Sequence, residues 1–125
     1  MSRKTQPPGA LDLLRDEIRK FALDRDWEKF HSPKNLSMAL IAESAELLEH
    51  FLWLTEKQSR QLDSKKLGKV AEEIGDVLIY LIRIADQLGI DPLSAAQKKV
   101  LVNAQKYPVR HAQGNAKKYT EFKES

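Results

Sequence analysis

Residues 70–85, with the sequence VAEEIGDVLIYLIRIA, constrain the fold more than any other segment of the chain. At about 100° per residue, the apolar side chains of its second half cover most of a helix circumference. A helix of that kind is buried on more than one side. The same segment carries Glu72, Glu73 and Asp76 in its first two turns, although burying an unpaired charge is costly. We therefore expect these carboxylates to have a cationic partner and a function.

The remaining sequence shows helical periodicity without strand-like alternation, which predicts an all-α bundle of four helices. We expect helices at about residues 11–26, 35–54, 64–88 and 92–107, and the Thr-x-x-Gln pattern at 55–58 predicts a short extra turn. A bundle this small cannot enclose the third helix, so we expect a homodimer with that helix near its centre. The alternative, a helix at the middle of its own bundle, stays open.

A length of 125 residues, 42% of them hydrophobic, predicts a single domain over 1–125, with a disordered leader at 1–9 and a basic tail at 109–125. The absence of cysteine excludes disulfides and thiolate metal sites. No secretory signal precedes the domain, and no apolar run reaches the roughly 18 residues of a membrane span. These features predict a cytoplasmic protein without membrane contact.

The net charge of +3 is unevenly distributed, since the segment 11–97 is acidic and the segment 98–125 is basic. Basic tails are commonly solvated or bind polyanions without specificity. A third interpretation is that the tail folds over a small polyphosphate held by the acidic body. Charge alone leaves the three open, although the acidic body makes nucleic-acid binding the least favoured.

Two carboxylate pairs lie at i, i+3 spacing, Glu43 with Glu46 and Glu73 with Asp76, so each pair shares one helix face. Glu43 falls inside the apolar stripe of its helix, and the two helices are close enough in sequence to be neighbours. Four converging carboxylates repel one another unless a cation is present. Oxygen ligands without cysteine favour Mg²⁺ or Mn²⁺ over zinc.

Two other interpretations of these acids are weaker. Each pair alone is common on solvated helix faces. A di-iron bundle uses a Glu-x-x-His motif, but the residue three positions after Glu43 is Glu46, and the one three positions after Glu73 is Asp76.

Several longer motifs carry a family likeness. The segments RDWEKFHSPKNLSMALIAESAELLEHFLW, EEIGDVLIYL, KKVLVNAQKYPV and GNAKKYT resemble, in order and spacing, the MazG-like all-α nucleoside triphosphate pyrophosphohydrolases, and within them the dCTP pyrophosphatase branch. The likeness covers about residues 11–119.

The resemblance implies an enzyme that converts a dNTP, dCTP or a modified dCTP, to dNMP and pyrophosphate for cleansing of the nucleotide pool. It also implies a dimer or a dimer of dimers, and Mg²⁺ on the four carboxylates, which double as the catalytic residues. The resemblance assigns Lys99, Asn103 and Tyr107 to the triphosphate, and Trp27 and Trp53 match positions that surround the base in its members. His31 and Tyr80 are further candidates for the base pocket, although His31 could instead cap a loop.

The chain departs from the family pattern twice, because Lys106 replaces an arginine and Ile18 replaces a histidine. Two alternative functions stay open. One is a phosphoribosyl-ATP pyrophosphohydrolase, which shares the carboxylates but needs another base pocket. The other is a non-catalytic helical module that binds nucleic acid through its basic tail.

Overall fold

The computed structural model describes residues 7–122, and within that range it contains helices and turns but no strand. The described residues form two compact units, 7–90 and 91–122. The first contains α1 (Ala10–Asp24), a 3₁₀ turn (Glu28–Phe30), α2 (Pro33–Glu49), α3 (Glu56–Ser59) and α4 (Ser64–Gln87). The second contains α5 (Pro92–Lys106), α6 (Val109–Ala112) and a 3₁₀ turn (Tyr119–Glu121). The predicted all-α class is confirmed, and the single-domain boundary stays a prediction.

Side-chain caps determine where the helices begin. The Ser32 hydroxyl accepts a hydrogen bond from the backbone N–H of Asn35 at 3.1 Å, and a proline follows at the first helical position. The Asp63 carboxylate accepts from the N–H of Lys66 at 2.8 Å and starts α4. Thr55 and Gln58 form the predicted reciprocal capping box, at 2.9 and 3.1 Å. These polar side chains satisfy N–H groups that the first helical turn leaves unpaired.

The second predicted helix, 35–54, has different bounds in the structure, since α2 spans Pro33–Glu49. It begins earlier because the Ser-Pro pair supplies both a cap and a first residue. It ends earlier because the backbone tightens after Glu49, where the N–H groups of Phe51 and Leu54 bond to carbonyls three residues back. The turn at 50–54 leads the chain to the cap of α3.

The core of the first unit lies where α1 and α2 pack against α4. Its buried apolar side chains are small or branched and come from these three helices: Ile18, Ala22, Leu36, Val70, Ile82 and Ala85. The pairing of α2 with α4 brings the two helices that carry the acidic pairs side by side. This pairing therefore positions the candidate site.

The other faces of α4 stay exposed. Five of its large apolar side chains have between 37% and 54% of their surface accessible: Leu67, Ile74, Leu78, Ile79 and Leu81. The first unit by itself therefore leaves these side chains of α4 uncovered, and the choice between a dimer and a helix at the middle of its own bundle stays open.

The predicted leader at 1–9 lies outside the described residues except for Pro7–Gly9, and the last three residues of the tail also lie outside them. Within residues 7–122, no helix combines the length and the apolar character that crossing a membrane requires.

Candidate metal centre and adjoining cavity

Three carboxylates from two helices converge in the first unit. Glu43 on α2 and Glu73 and Asp76 on α4 each offer an oxygen atom, and these atoms all lie within 4.8 Å of one another. The i, i+3 spacing puts Glu73 and Asp76 on one face of α4, and the packing of α2 along that face supplies Glu43. The predicted convergence of the acidic pairs is therefore present for these three side chains.

The fourth predicted carboxylate, Glu46, lies beside the group without belonging to it. It is close enough to Glu43 and Glu73 to act on both. Burial, followed by the hydrogen bond and negative charge of Glu46, raises the pKa of Glu43 from 4.5 to about 7. Burial, followed by the negative charge of Glu46, also raises the pKa of Glu73. The site thus holds more negative charge than its surroundings neutralise.

Two of these carboxylates also have unmet hydrogen-bonding capacity. The Oε2 atoms of Glu43 and Glu73 are buried and have no hydrogen-bond partner among the described residues. An ionised carboxylate is an acceptor only, so these oxygen atoms require a donor or a cation. A divalent cation fits the donor set, because oxygen ligands without nitrogen or sulfur suit hard ions such as Mg²⁺ and Mn²⁺.

A cavity of about 200 Å³ adjoins the carboxylates, and Asp76 belongs to its wall. Its other lining side chains are apolar, aromatic or basic: Ile18, Phe21, Ala22, Trp27, His31, Ile79, Tyr80 and Arg83. The Trp27 ring packs edge-on against Phe21 at 5.6 Å and against His31 at 6.3 Å between ring centroids. The structure therefore brings together three of the four predicted base-binding residues.

The fourth, Trp53, is not in this cavity. It lies in the turn after α2 with 88% of its surface exposed, the largest exposed fraction of any large hydrophobic residue in the described range. The sequence could not place it, because a turn at a helix end does not fix the direction of its side chains.

Sequence reasoning missed Arg83, which is 3% exposed and lies in the cavity wall. Its Nη1 donates to Asp86 at 3.2 Å, and its Nε donates to His31 Nδ1 at 3.1 Å. Asp86 in turn accepts from Arg19 Nε at 2.9 Å, and this hydrogen bond keeps the pKa of Asp86 below its usual value. A single arginine within LIYLIRIA was the available signal, since a charge on an apolar helix requires partners.

The predicted triphosphate residues belong to the second unit. Lys99 and Asn103 are exposed on α5, one turn apart. Tyr107 ends this helix and packs edge-on against Tyr119 and Phe122, at 6.0 and 5.7 Å between centroids. Their role in binding phosphate stays a prediction.

The chain matches a known family model and several named relatives. The MazG-like family model matches residues 39–122, which include all four acidic positions. The dCTP pyrophosphatase 1 of Mus musculus is 40% identical over 118 residues, which are 93% of this chain and 69% of that protein. The dCTP pyrophosphatase 1 of Homo sapiens is 37% identical over the same shares.

The fold is also similar to a solved structure. The crystal structure of a pyrophosphatase from Archaeoglobus fulgidus has a TM-score of 0.77 and 37% sequence identity, and the match covers 85% of this chain and 99% of that one. The match to the family model and the identity to these relatives lead to one conclusion: this chain belongs to the MazG-like family.

Proposed function

We propose that this protein is a nucleoside triphosphate pyrophosphohydrolase that converts a dNTP, preferably dCTP or a modified dCTP, to dNMP and pyrophosphate. The observation that carries the proposal is that Asp76 belongs both to the carboxylate cluster and to the wall of the aromatic cavity. A nucleotide can therefore place its base in the cavity and its phosphates at the carboxylates. The similarity to the dCTP pyrophosphatases of mouse and human supports the same chemistry.

The cation in this proposal is Mg²⁺, with Mn²⁺ as a substitute, held by Glu43, Glu73 and Asp76 with Glu46 beside them. When bound, such an ion offsets charge on the phosphate oxygens and lowers the pKa of a bound water. The task of the protein is to hold oxygen ligands at a fixed separation. The raised pKa of Glu43 means that binding of the cation releases a proton from this group at neutral pH.

In the reaction, water attacks the α-phosphorus, the bond to the bridging oxygen breaks, and pyrophosphate leaves. A carboxylate that the cation does not use can accept the proton of the water as general base. Glu46 is available for this role, because it lies beside the group without belonging to it.

The base site consists of Trp27, His31 and Tyr80. Flat rings offer stacking area at a low entropic cost. The cavity of about 200 Å³ is small compared with ligand pockets of roughly 300–1,000 Å³. It suits a single pyrimidine ring, in agreement with dCTP.

On the second unit, we propose that Lys99, Asn103 and Tyr107 bind the phosphate chain, with an ammonium, an amide and a hydroxyl as donors. Lys106 contributes a point charge where the family pattern has a guanidinium fork. Its ammonium lies 4.9 Å from the centroid of the Tyr119 ring.

We further propose a homodimer, or a dimer of dimers, that covers the exposed apolar faces of α4. Large exposed apolar patches in a protein of this size commonly mark contacts between proteins. A cytoplasmic location stays a prediction.

The experiment that tests the function is a pyrophosphate-release assay over the four dNTPs, with Mg²⁺ and with a chelator. We expect release from dCTP in the presence of Mg²⁺ only, and its loss in Glu43→Gln. The matched control is Glu72→Gln, because Glu72 is exposed on α4 and lies outside the carboxylate group.

Other outcomes identify the alternatives. Hydrolysis of phosphoribosyl-ATP in preference to every dNTP contradicts the assigned substrate but retains the carboxylate chemistry. Salt-sensitive binding of DNA or RNA without any pyrophosphate release contradicts the enzyme itself.

A further inference from the structure

Arg83 is an unusual side chain for the position that it occupies on α4. It is 3% exposed, and its Nη2 is buried without a hydrogen-bond partner among the described residues. A carboxylate oxygen of Glu28 is 3.9 Å from this Nη2, which is too long for a hydrogen bond. A buried donor left unpaired is unfavourable for stability. Packing alone would be served better by an apolar residue, so the polar contacts of Arg83 require another explanation.

The orientation of the Arg83 guanidinium is fixed on one side by Asp86, whose carboxylate is itself held by Arg19. Asp86 accepts from Arg83 Nη1, and Arg19 donates to the same carboxylate through Nε and Nη2. The side chain of Asp86 is 11% exposed, so water weakens these contacts little. Arg83 is therefore held with its Nε directed at a fixed point, the imidazole of His31.

The contact with His31 determines where the imidazole carries its proton. A guanidinium is a donor only, so the 3.1 Å contact from Arg83 Nε requires a lone pair on His31 Nδ1. In a neutral imidazole the proton is then on Nε2. Rotating the ring by half a turn would put a carbon atom opposite the Arg83 N–H. Burial, followed by the charge of Arg83, lowers the pKa of His31, so the ring is neutral at neutral pH.

The Nε2–H group of His31 is free to contact a ligand. It forms no hydrogen bond within residues 7–122. It is also absent from the buried side-chain atoms of that range that lack a partner, so a ligand can reach it. His31 lines the cavity together with Trp27 and Tyr80. The wall of the cavity thus offers an N–H donor beside aromatic rings.

We propose that Arg83 is a positioning residue that locks His31 in the Nε2–H tautomer, so that the cavity selects a base with a hydrogen-bond acceptor, a carbonyl oxygen or an unprotonated ring nitrogen, directed at His31. Cytosine has both kinds of acceptor at neighbouring ring positions, the carbonyl oxygen O2 and the ring nitrogen N3. The part of this inference that concerns the ligand rests on the proposed function, whereas the tautomer does not.

The tautomer is tested first, by long-range ¹H–¹⁵N correlation spectra of the histidine rings at neutral pH. The chain has three histidines, and the signals of His31 are identified by their loss in His31→Gln. We expect a protonated Nε2 and an unprotonated Nδ1 in the unsubstituted protein, and a mixture of tautomers in Arg83→Met. A protonated Nδ1 in the unsubstituted protein, or an unchanged spectrum in Arg83→Met, overturns the inference.

The ligand contact is tested with two substitutions of His31 that leave Arg83 in place. Glutamine puts its amide near the position of Nε2, whereas asparagine puts its amide near that of Nδ1. We expect His31→Asn to raise the KM for dCTP about three- to tenfold, the value of one hydrogen bond, with little change in kcat. His31→Gln should raise it less. Equal effects of the two substitutions overturn the inference.

Arg83→Met should raise the KM in the same way, and its effect should be smaller when His31→Gln is also present, because glutamine donates without help from Arg83. Equal effects in both backgrounds mean that Arg83 acts on folding alone and overturn the proposal. If the unsubstituted protein hydrolyses no dNTP while the spectra show the expected tautomer, the proposed function has failed and the tautomer inference has not.

Discussion

The substitution Glu43→Gln tests whether the carboxylate cluster holds unneutralised charge. The pKa of Glu43 in the folded protein is about 7, above its ordinary value of 4.5. The folded state therefore binds the proton more tightly than the unfolded state. Glu43 contributes this stability in full below about pH 4.5 and loses it as the pH rises through 7. Glutamine, a neutral isostere, cannot lose a proton and removes this part of the pH dependence.

The size of the effect follows from the same pKa. At about 1.4 kcal/mol per pKa unit, a rise from 4.5 to about 7 corresponds to about 3 kcal/mol for a fully desolvated group. Glu43 is partly exposed, so solvent screening reduces this value to about 1–2 kcal/mol. We therefore expect Glu43→Gln to be more stable than the unsubstituted protein by about 1–2 kcal/mol at about pH 8 in a chelator, and the difference to shrink toward about pH 5.

The assay is urea denaturation followed by circular dichroism, at one protein concentration and at both pH values. Addition of Mg²⁺ should reverse the order at about pH 8, because an ion that binds only the folded state stabilises it by about 2.7 kcal/mol at 100 times its Kd. Glu43→Gln lacks one oxygen ligand for the ion, so Mg²⁺ should raise its free energy of unfolding by less. Glu72→Gln serves as the control and should change little under any condition.

The reasoning is refuted by a Glu43→Gln variant that is less stable than the unsubstituted protein in the chelator at about pH 8. That result would mean that the cluster is neutralised by other groups of the protein. A variant that shows the expected gain in the chelator but an equal gain from Mg²⁺ would refute Glu43 as a ligand.

Three further predictions concern other parts of the chain. Asp86→Asn should lower the free energy of unfolding by about 2 kcal/mol at neutral pH, because Arg83 loses its charged hydrogen-bond partner. Since the pKa of Asp86 is held below 3.8, this loss should persist down to pH 3.8 and fade as the pH drops further, and a constant loss in denaturation curves would argue against the ion pair. Leu78→Glu, on the exposed face of α4, should shift the mass measured by light scattering to that of a monomer, while Lys69→Glu, an exposed position on the same helix, should not. Asp63→Ala should destabilise the protein by about 1 kcal/mol through loss of the α4 cap, and an unchanged midpoint of thermal unfolding would contradict the assignment.

Local signals in the sequence were sufficient for much of the fold. The start of α4 at Ser64, its end before Gly89 at φ +67°, and the capping box at Thr55 all depend on residues within one turn of the boundary. The position of Glu43 inside an apolar stripe likewise follows from helical geometry. Its partly buried state, with one oxygen enclosed, agrees with that prediction.

Features that depend on contacts distant in sequence were not predictable in this way. The partners of Arg83 include His31, 52 positions away, and Arg19 reaches Asp86 across 67 positions. No periodicity encodes such a distance. The direction of the Trp53 side chain depends on the backbone hydrogen bonds of a turn, and the sequence pattern does not predict these bonds either. Tertiary packing decided these features, and the structure was needed to find them.

The two tryptophans of the chain occupy contrasting surroundings, and this gives the protein an intrinsic optical reporter. Trp53 is almost fully exposed, whereas Trp27 is 43% exposed and packs against Phe21 and His31. Iodide should quench the emission of Trp53 far more efficiently than that of Trp27. A ligand that enters the cavity should reduce the emission of Trp27. Self-association over the turn after α2 should protect Trp53 from the quencher. A single fluorescence titration therefore separates ligand binding from self-association.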